Sequence, residues 1–215
     1  MPNNSKLFIL GLPRTGTTSI CSTLLALNYA VAHTAYTQTT FDQATAIADT
    51  PVFNDYQALD HYYPNSQFIY LTRTANKWIP SIKQLLLRMF NNVVRDDGGF
   101  NPIIKRCYTE IFSPFTLENI NNDDFLLACY NQHKTAVTKY FEQQNLPVLF
   151  IDISETNSYQ ALLDFLNVKS TSTTFPTLNM GGKVTAWKDL KHPLKIESTK
   201  NGRCSRLDYL DLKDV

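Results

Sequence analysis

The chain has 215 residues, 43% of them hydrophobic and 12% aromatic, which is enough to bury one sizeable core and fits a single domain over 1–215. A formal charge of +1 excludes the long-range field of a general nucleic-acid or membrane-surface binder, so any bound anion has to be held by a local constellation. Cys21, Cys107, Cys129 and Cys204 stand far apart, with no CxxC pair and no histidine at ligand spacing, which argues against a metal site, a redox pair or a disulfide framework and suits a reducing cytosol.

The opening MPNNSKLFILGLP carries an apolar run of only about five residues before Gly11, too short for a secretion signal or a membrane span, so a cytoplasmic protein is expected. Lys6 to Leu10 reads as a buried parallel strand stopped by Gly11 and Pro13. From Thr17 the period changes: Ile20, Leu24, Leu25 and Leu27 recur at helical spacing without Gly or Pro between them. Segments 31–33 and 51–53 read as further short strands.

Gln67 to Thr72 (QFIYLT) is the second clear strand and Pro147 to Ile151 (PVLFI) the third. Helices are predicted over Ala75 to Val94, where Pro80 should bend or delay the element, over Asp123 to Gln144, and over Tyr159 to Leu166. The stretch Lys169 to Thr177 is rich in Ser and Thr, and the chain from about 170 to 215 reads as a wrapping arm. Strands alternating with helices predict the α/β class: a three-layer α/β/α arrangement with a central parallel sheet, whose ligands sit at the carboxyl ends of strands.

One such end holds Gly11-Leu-Pro-Arg-Thr-Gly16-Thr17-Thr18, the glycine spacing of a Walker A loop between a strand and a helix. A phosphate needs several backbone N–H groups at close range and a helix N-terminus; glycines allow the approach, and the hydroxyls of Thr15, Thr17 and Thr18 can add donors. Thr17 stands where the Walker lysine would, which argues against ordinary ATP or GTP hydrolysis, and Arg14 supplies the cation from inside the loop instead. The bland alternative is a glycine turn with no ligand. Arg73 closes the strand QFIYLT, and Ser81 follows eight residues later on a helical stretch, so an arginine fork and a hydroxyl could clamp a second phosphate.

GLPRTGTTS resembles the 5′-phosphosulfate loop of P-loop sulfotransferases, usually P-K-[ST]-G-T-T, with Arg14 in place of the lysine. IYLTRTANKWIPS resembles the 3′-phosphate motif of the same family, a strand ending in Arg with Ser eight residues on. ADTPVF, YPNSQFIYLTR and FPTLN look most like the small microbial members, and GGKVTAWKD is similar to the G-x-x-G-x-W-K segment of the steroid-type enzymes, without its second glycine. The resemblance implies a P-loop nucleoside-triphosphate-hydrolase-like fold and the donor 3′-phosphoadenosine 5′-phosphosulfate (PAPS), released as adenosine 3′,5′-bisphosphate, without a metal. It further implies that Pro13, Arg14, Thr15, Gly16, Thr17, Thr18, Arg73 and Ser81 hold the donor and that the acceptor is a hydroxyl or amine of a small molecule or glycan.

Sulfuryl transfer depends on positioning and on offsetting negative charge at the departing nucleotide, here assigned to Arg14 and the Gly16–Thr18 amides. Steroid-type members take the acceptor's proton with a histidine just ahead of a proline; the corresponding position in this chain, before Thr50-Pro51, is Asp49, taken as the base. A carboxylate there could equally cap a turn. His33, which could reach the site, and His61, in an aromatic-rich stretch where a packed histidine is the commoner outcome, are the rival bases. Asp55 is a weaker one, and His133 and His192 read as surface or packing residues. Two other readings stand beside this one: a P-loop small-molecule kinase, and a binding protein that keeps the nucleotide clamp without catalysis.

Overall fold

The computed structural model describes residues 5–178 and 186–198. In chain order these residues form β1 (Leu7–Leu10), α1 (Thr17–Ala26), β2 (Val31–Ala32), α2 (Gln38–Gln43), β3 (Ala46–Ala48), α3 (Val52–Tyr62) and β4 (Gln67–Leu71). Then follow α4 (Ala75–Val94), α5 (Pro102–Ile111), α6 (Leu117–Asn121), α7 (Asp123–Gln144), β5 (Val148–Ile151), α8 (Ser158–Leu166) and α9 (Ala186–Asp189). The chain makes two compact units: one from the residues up to Arg73 together with those from Val148, the other from Thr74–Pro147.

In the first unit the five strands form one all-parallel sheet in the order β2-β3-β1-β4-β5. β1 lies between β3 and β4, with Ile9 beside Ala48 and Leu10 beside Tyr70. Every β1 side chain is buried, because a parallel sheet is covered on both faces. Leu7 and Ile9 join Ile20, Leu24 and Leu25 of α1 and Leu162 and Leu166 of α8 in one cluster. Phe8 faces the opposite way, stacked on Phe68 with ring centroids 5.6 Å apart and against Tyr63, just past α3, at 5.8 Å. This layering is the expected α/β/α architecture.

Two expectations need correction. Residues 51–53 are not a strand: Pro51 caps α3, and Val52 and Phe53 form its first turn, where proline's missing N–H is harmless. The strand is Ala46–Ala48, which alanine's weak β-propensity conceals; both alanines are fully buried in the core cluster with α1, where a small side chain permits close helix–sheet approach. Pro80 does not delay α4, which starts at Ala75 and runs unbroken past it. The strand expected over 31–33 is present as Val31–Ala32.

The second unit is built from α4 to α7. One face of α7 buries Leu126, Cys129, Tyr130, His133, Val137 and Phe141, the three- and four-residue recurrence of an amphipathic helix. Trp78 of α4, fully buried, meets Tyr130 with ring centroids 4.8 Å apart, and an ion pair joins Lys83 to Asp123. Among the described residues no helix is long and apolar enough to cross a membrane. Asn179, Gly181 to Thr185, Cys204 and the remainder of the expected arm lie outside the described residues.

Candidate functional site

Parallel strands deliver their carboxyl ends to one edge, and the polar residues singled out by sequence collect along it. His33 follows β2, Asp49 follows β3, the glycine loop follows β1, and Arg73 stands two residues beyond β4.

The loop's shape requires its glycines. Gly11 has φ 123°, and a Cβ there would lie 2.8 Å from the Cβ of Leu71 and 2.9 Å from its carbonyl oxygen. Gly16, the N-cap of α1, has φ 110° and would press a Cβ to 2.4 Å from Ile153 Cδ1. Arg14 between them is also left-handed, at φ 74°. No side chain caps α1 and no acidic residue lies in its first turn, so no carboxylate or side-chain cap competes for the positive end of the helix dipole, which suits an anion. Arg73 Nη1 donates to the Arg14 carbonyl oxygen at 2.8 Å. The two sequence motifs, 59 residues apart, therefore meet. Ser81 sits half-buried on α4 in the second unit.

The three loop hydroxyls have different partners. Thr15 Oγ1 donates to the Leu12 carbonyl at 2.8 Å and is 1% exposed, so it braces the loop from within. Thr17 Oγ1 donates to Asp49 Oδ2 at 3.2 Å. Thr18 Oγ1 meets His33 Nε2 at 3.1 Å. A hydroxyl has a single proton, so with these bonds made the Thr15 and Thr17 side chains have none left for an anion, and the Thr15 N–H is itself donated to the Leu12 carbonyl at 3.3 Å.

Asp49 is 9% exposed with φ 56°, a left-handed conformation that Asp and Asn tolerate better than most residues. Its Oδ1 accepts from the Thr50 N–H at 2.8 Å and the Thr50 hydroxyl at 3.2 Å. Cys21 lies one helical turn beyond Thr17; burial and the Asp49 carboxylate push its thiol well above the ordinary range, so it stays protonated and unreactive.

His33 is covered by late chain. Its ring lies 5.4 Å from that of Trp187, centroid to centroid, at 31°. Loss of water contact lowers the imidazole pKa, Asp49 opposes this, and the Lys195 cation adds to it. The expected consequence is acid sensitivity: below about pH 6.5 the unfolded chain takes up a proton that folded His33 resists, so stability falls with pH. Thermal unfolding between pH 7.5 and 5 should show a smaller loss for His33→Gln than for the unchanged chain; equal losses would contradict this account.

The remaining histidines lie elsewhere. His61 is exposed rather than packed, on the last turn of α3 and edge-on to Tyr62 at 5.9 Å. That helix end belongs to the opposite side of the sheet, since Tyr63 lies under the Lys6 ammonium at 5.2 Å and Ser66 Oγ accepts from the Lys6 N–H, just before β1 begins. His133 is buried within the second unit, and His192 Nδ1 accepts from the Leu194 N–H. Asp55 accepts from the neighbouring Asn54 side chain at a kink in α3. Sequence reasoning passed over Trp187 and Lys195 as partners of His33. The available signal was Trp187 itself, one of only two tryptophans in the chain and set in a polar stretch, where a large aromatic marks a docking point. Among the described residues no three His, Cys, Asp or Glu side chains gather as a metal's ligands would.

A family model described as a sulfotransferase domain matches residues 35–184. The matched span includes Asp49, Arg73 and Ser81 and begins after the glycine loop, whose case rests on its own geometry. No curated protein matches the chain.

Proposed function

The chain belongs to the sulfotransferase-domain family, and from that premise we propose that it moves a sulfuryl group from PAPS to a hydroxyl or amine of a small molecule or glycan. One observation carries the choice of donor. The Arg73 guanidinium touches the backbone of the glycine loop, so two anion-binding elements on neighbouring strands stand close enough for one doubly phosphorylated nucleotide. The fit of the loop to a phosphate is supported by its two left-handed glycines, which shape a turn that no Cβ could enter without striking Leu71 or Ile153, and by the helix end without a side-chain cap. In this reading Pro13, Arg14, Thr15, Gly16, Thr17 and Thr18 surround the 5′-phosphosulfate, and Arg73 takes the 3′-phosphate.

The donor supplies the activated sulfur. The chain's own residues do the rest: Arg14 and the N–H groups of Gly16, Thr17 and Thr18 offset charge that grows on the departing phosphate, an effect typically worth about a hundredfold or more in rate per donor. Asp49 accepts the acceptor's proton as the new S–O bond forms. Thr17 and Thr50 fix the direction of that carboxylate through three hydrogen bonds. Acting without a metal and within the cytoplasm completes the proposal.

Thermal shift tests the donor assignment. Adenosine 3′,5′-bisphosphate at about 100 times its Kd, with chelator present, should raise folding stability by about 2.7 kcal/mol, because a ligand that binds only the folded chain stabilises by mass action. Stabilisation by ATP with Mg²⁺ and none by the bisphosphate would instead make the chain a kinase, contrary to Thr17 in the Walker lysine position.

A further inference from the structure

Thr17 is the first residue of α1 and stands in the Walker lysine position, where a side chain would ordinarily reach for phosphate. Its hydroxyl has a different partner. Oγ1 donates to Asp49 Oδ2 at 3.2 Å, a contact made possible because β3 pairs directly with β1, Ile9 beside Ala48, which brings the end of β3 next to the loop. Thr17 is 5% exposed, and Asp49 and Thr50 are buried with it, so water competes little for this bond. The N–H of Thr17 belongs to the first turn of α1, where N–H groups have no partner within the helix. The two oxygens of Asp49 are not equivalent. Oδ1 accepts from the Thr50 N–H at 2.8 Å and the Thr50 hydroxyl at 3.2 Å, whereas Oδ2 accepts, among the described residues, from Thr17 alone. Each carboxylate oxygen has about two lone-pair directions, so Oδ1 is filled and Oδ2 keeps one.

We propose that Thr17 is a positioning residue for the base: its hydroxyl aims Asp49 so that Oδ2 receives the acceptor's proton, and that hydroxyl takes no part in holding the donor. The inference rests on the reading of the loop as the donor site and of Asp49 as the base. In the step itself the acceptor oxygen forms the new bond to sulfur while its bond to hydrogen breaks, and the proton passes to Oδ2. The bond from sulfur to the bridging oxygen breaks with its electron pair left on the departing phosphate, so atoms and charge balance. With its one proton on Oδ2, Thr17 sets the direction of the lone pair that remains. A carboxylate tied only at Oδ1 can pivot about those bonds, and misplacement of a reacting group by about 1 Å can cost about a hundredfold in rate. The P-K-[ST]-G-T-T pattern implies a donor-binding hydroxyl at this place; the bond to Asp49 reassigns it.

The test measures, on the full chain, transfer from labelled PAPS to an acceptor taken from a screen of alcohols, phenols, amines and sugars, and binding of adenosine 3′,5′-bisphosphate by calorimetry. Thr17→Val keeps the shape and drops the hydroxyl. It is expected to lower kcat about tenfold, the scale of one hydrogen bond to a charged group, with the bisphosphate Kd and the donor KM changed less than about twofold. Thr17→Ser, whose hydroxyl can make the same bond, should recover to within about threefold of the unchanged chain. Thr50→Val leaves the N–H on Oδ1 and should cost less than Thr17→Val; an equal or greater loss would overturn the choice of Oδ2. Action through the base shows in a second background: added to Asp49→Asn, Thr17→Val should change the residual rate by less than about twofold. A residue that merely held the fold or the donor would cost as much there as in the unchanged chain. A kcat unaltered by Thr17→Val, a tenfold loss in both backgrounds, or a bisphosphate affinity that falls with the rate overturns the positioning role alone. If the unchanged chain binds no bisphosphate, the donor reading itself fails, and full activity in Asp49→Asn removes the base on which Thr17 acts. Thr17→Ala carries the same expectations and decides the matter even if Thr17→Val does not fold.

Discussion

Arg73→Ala is expected to weaken adenosine 3′,5′-bisphosphate about 100-fold and adenosine 5′-phosphate about tenfold, measured by calorimetry without metal. A hydrogen bond to a charged group contributes about 1.5–3 kcal/mol, and each 1.4 kcal/mol is a factor of ten in affinity. Arg73 has two roles to lose. Its Nη1 donates to the Arg14 carbonyl at 2.8 Å, bracing a loop whose Arg14 is in a left-handed conformation at φ 74° that most side chains avoid; losing that brace should loosen the grip on any 5′-phosphate. The guanidinium fork is also assigned the 3′-phosphate, which only the bisphosphate carries. The two ligands therefore separate the roles: equal losses would make Arg73 a loop brace and nothing more, and unchanged binding of both would remove it from the site. Arg73→Lys should recover only part of the bisphosphate affinity, since an ammonium lacks the planar fork.

Asp49→Asn is expected to reduce transfer from labelled PAPS by a factor of about 10²–10⁴, in an assay with an acceptor found by screening alcohols, phenols, amines and sugars. The substitution isolates charge. Asparagine accepts the left-handed backbone at φ 56° about as well as aspartate does, its carbonyl oxygen can still take the Thr50 N–H and hydroxyl, and its amide can donate to Thr17 Oγ1, which would then reverse its own bond. Folding stability should stay within about 1 kcal/mol and bisphosphate affinity close to that of the unchanged chain, leaving proton acceptance as what is lost. Full activity in Asp49→Asn would refute the assignment. His33 at the end of β2 would then be the first alternative, because the structure keeps it at the same edge, whereas His61 lies toward the other side of the sheet.

Much of the frame was readable without coordinates. Val94 and Gln144 end their helices where the apolar period stops, and Leu7–Leu10, Gln67–Leu71 and Val148–Ile151 are the three apolar runs bounded by breakers or polar residues. Such signals are local, written in the residues that obey them. β3 escaped notice for the opposite reason: Ala46–Ala48 has no strand-like composition and becomes a strand because β1 and β2 flank it. The same applies to His61, whose aromatic neighbours suggested packing; Tyr63 is buried but Tyr62 and His61 face outward, a matter of where α3 turns its last residues.

For the site the division runs between the backbone and the side chains. By itself the sequence determined a strand, a glycine loop and a helix in succession, and an arginine at the close of a neighbouring strand, because glycine spacing and hydrophobic period prescribe the local path of a chain whatever surrounds it. Only the tertiary structure decided that Thr17 faces Asp49 across 32 residues, that Thr18 meets His33, and that Trp187 and Lys195 return from the far end of the chain to cover that histidine. Those choices depend on which strand ends the sheet order brings side by side, and a hydroxyl with one proton gives it to whichever acceptor the packing sets within reach.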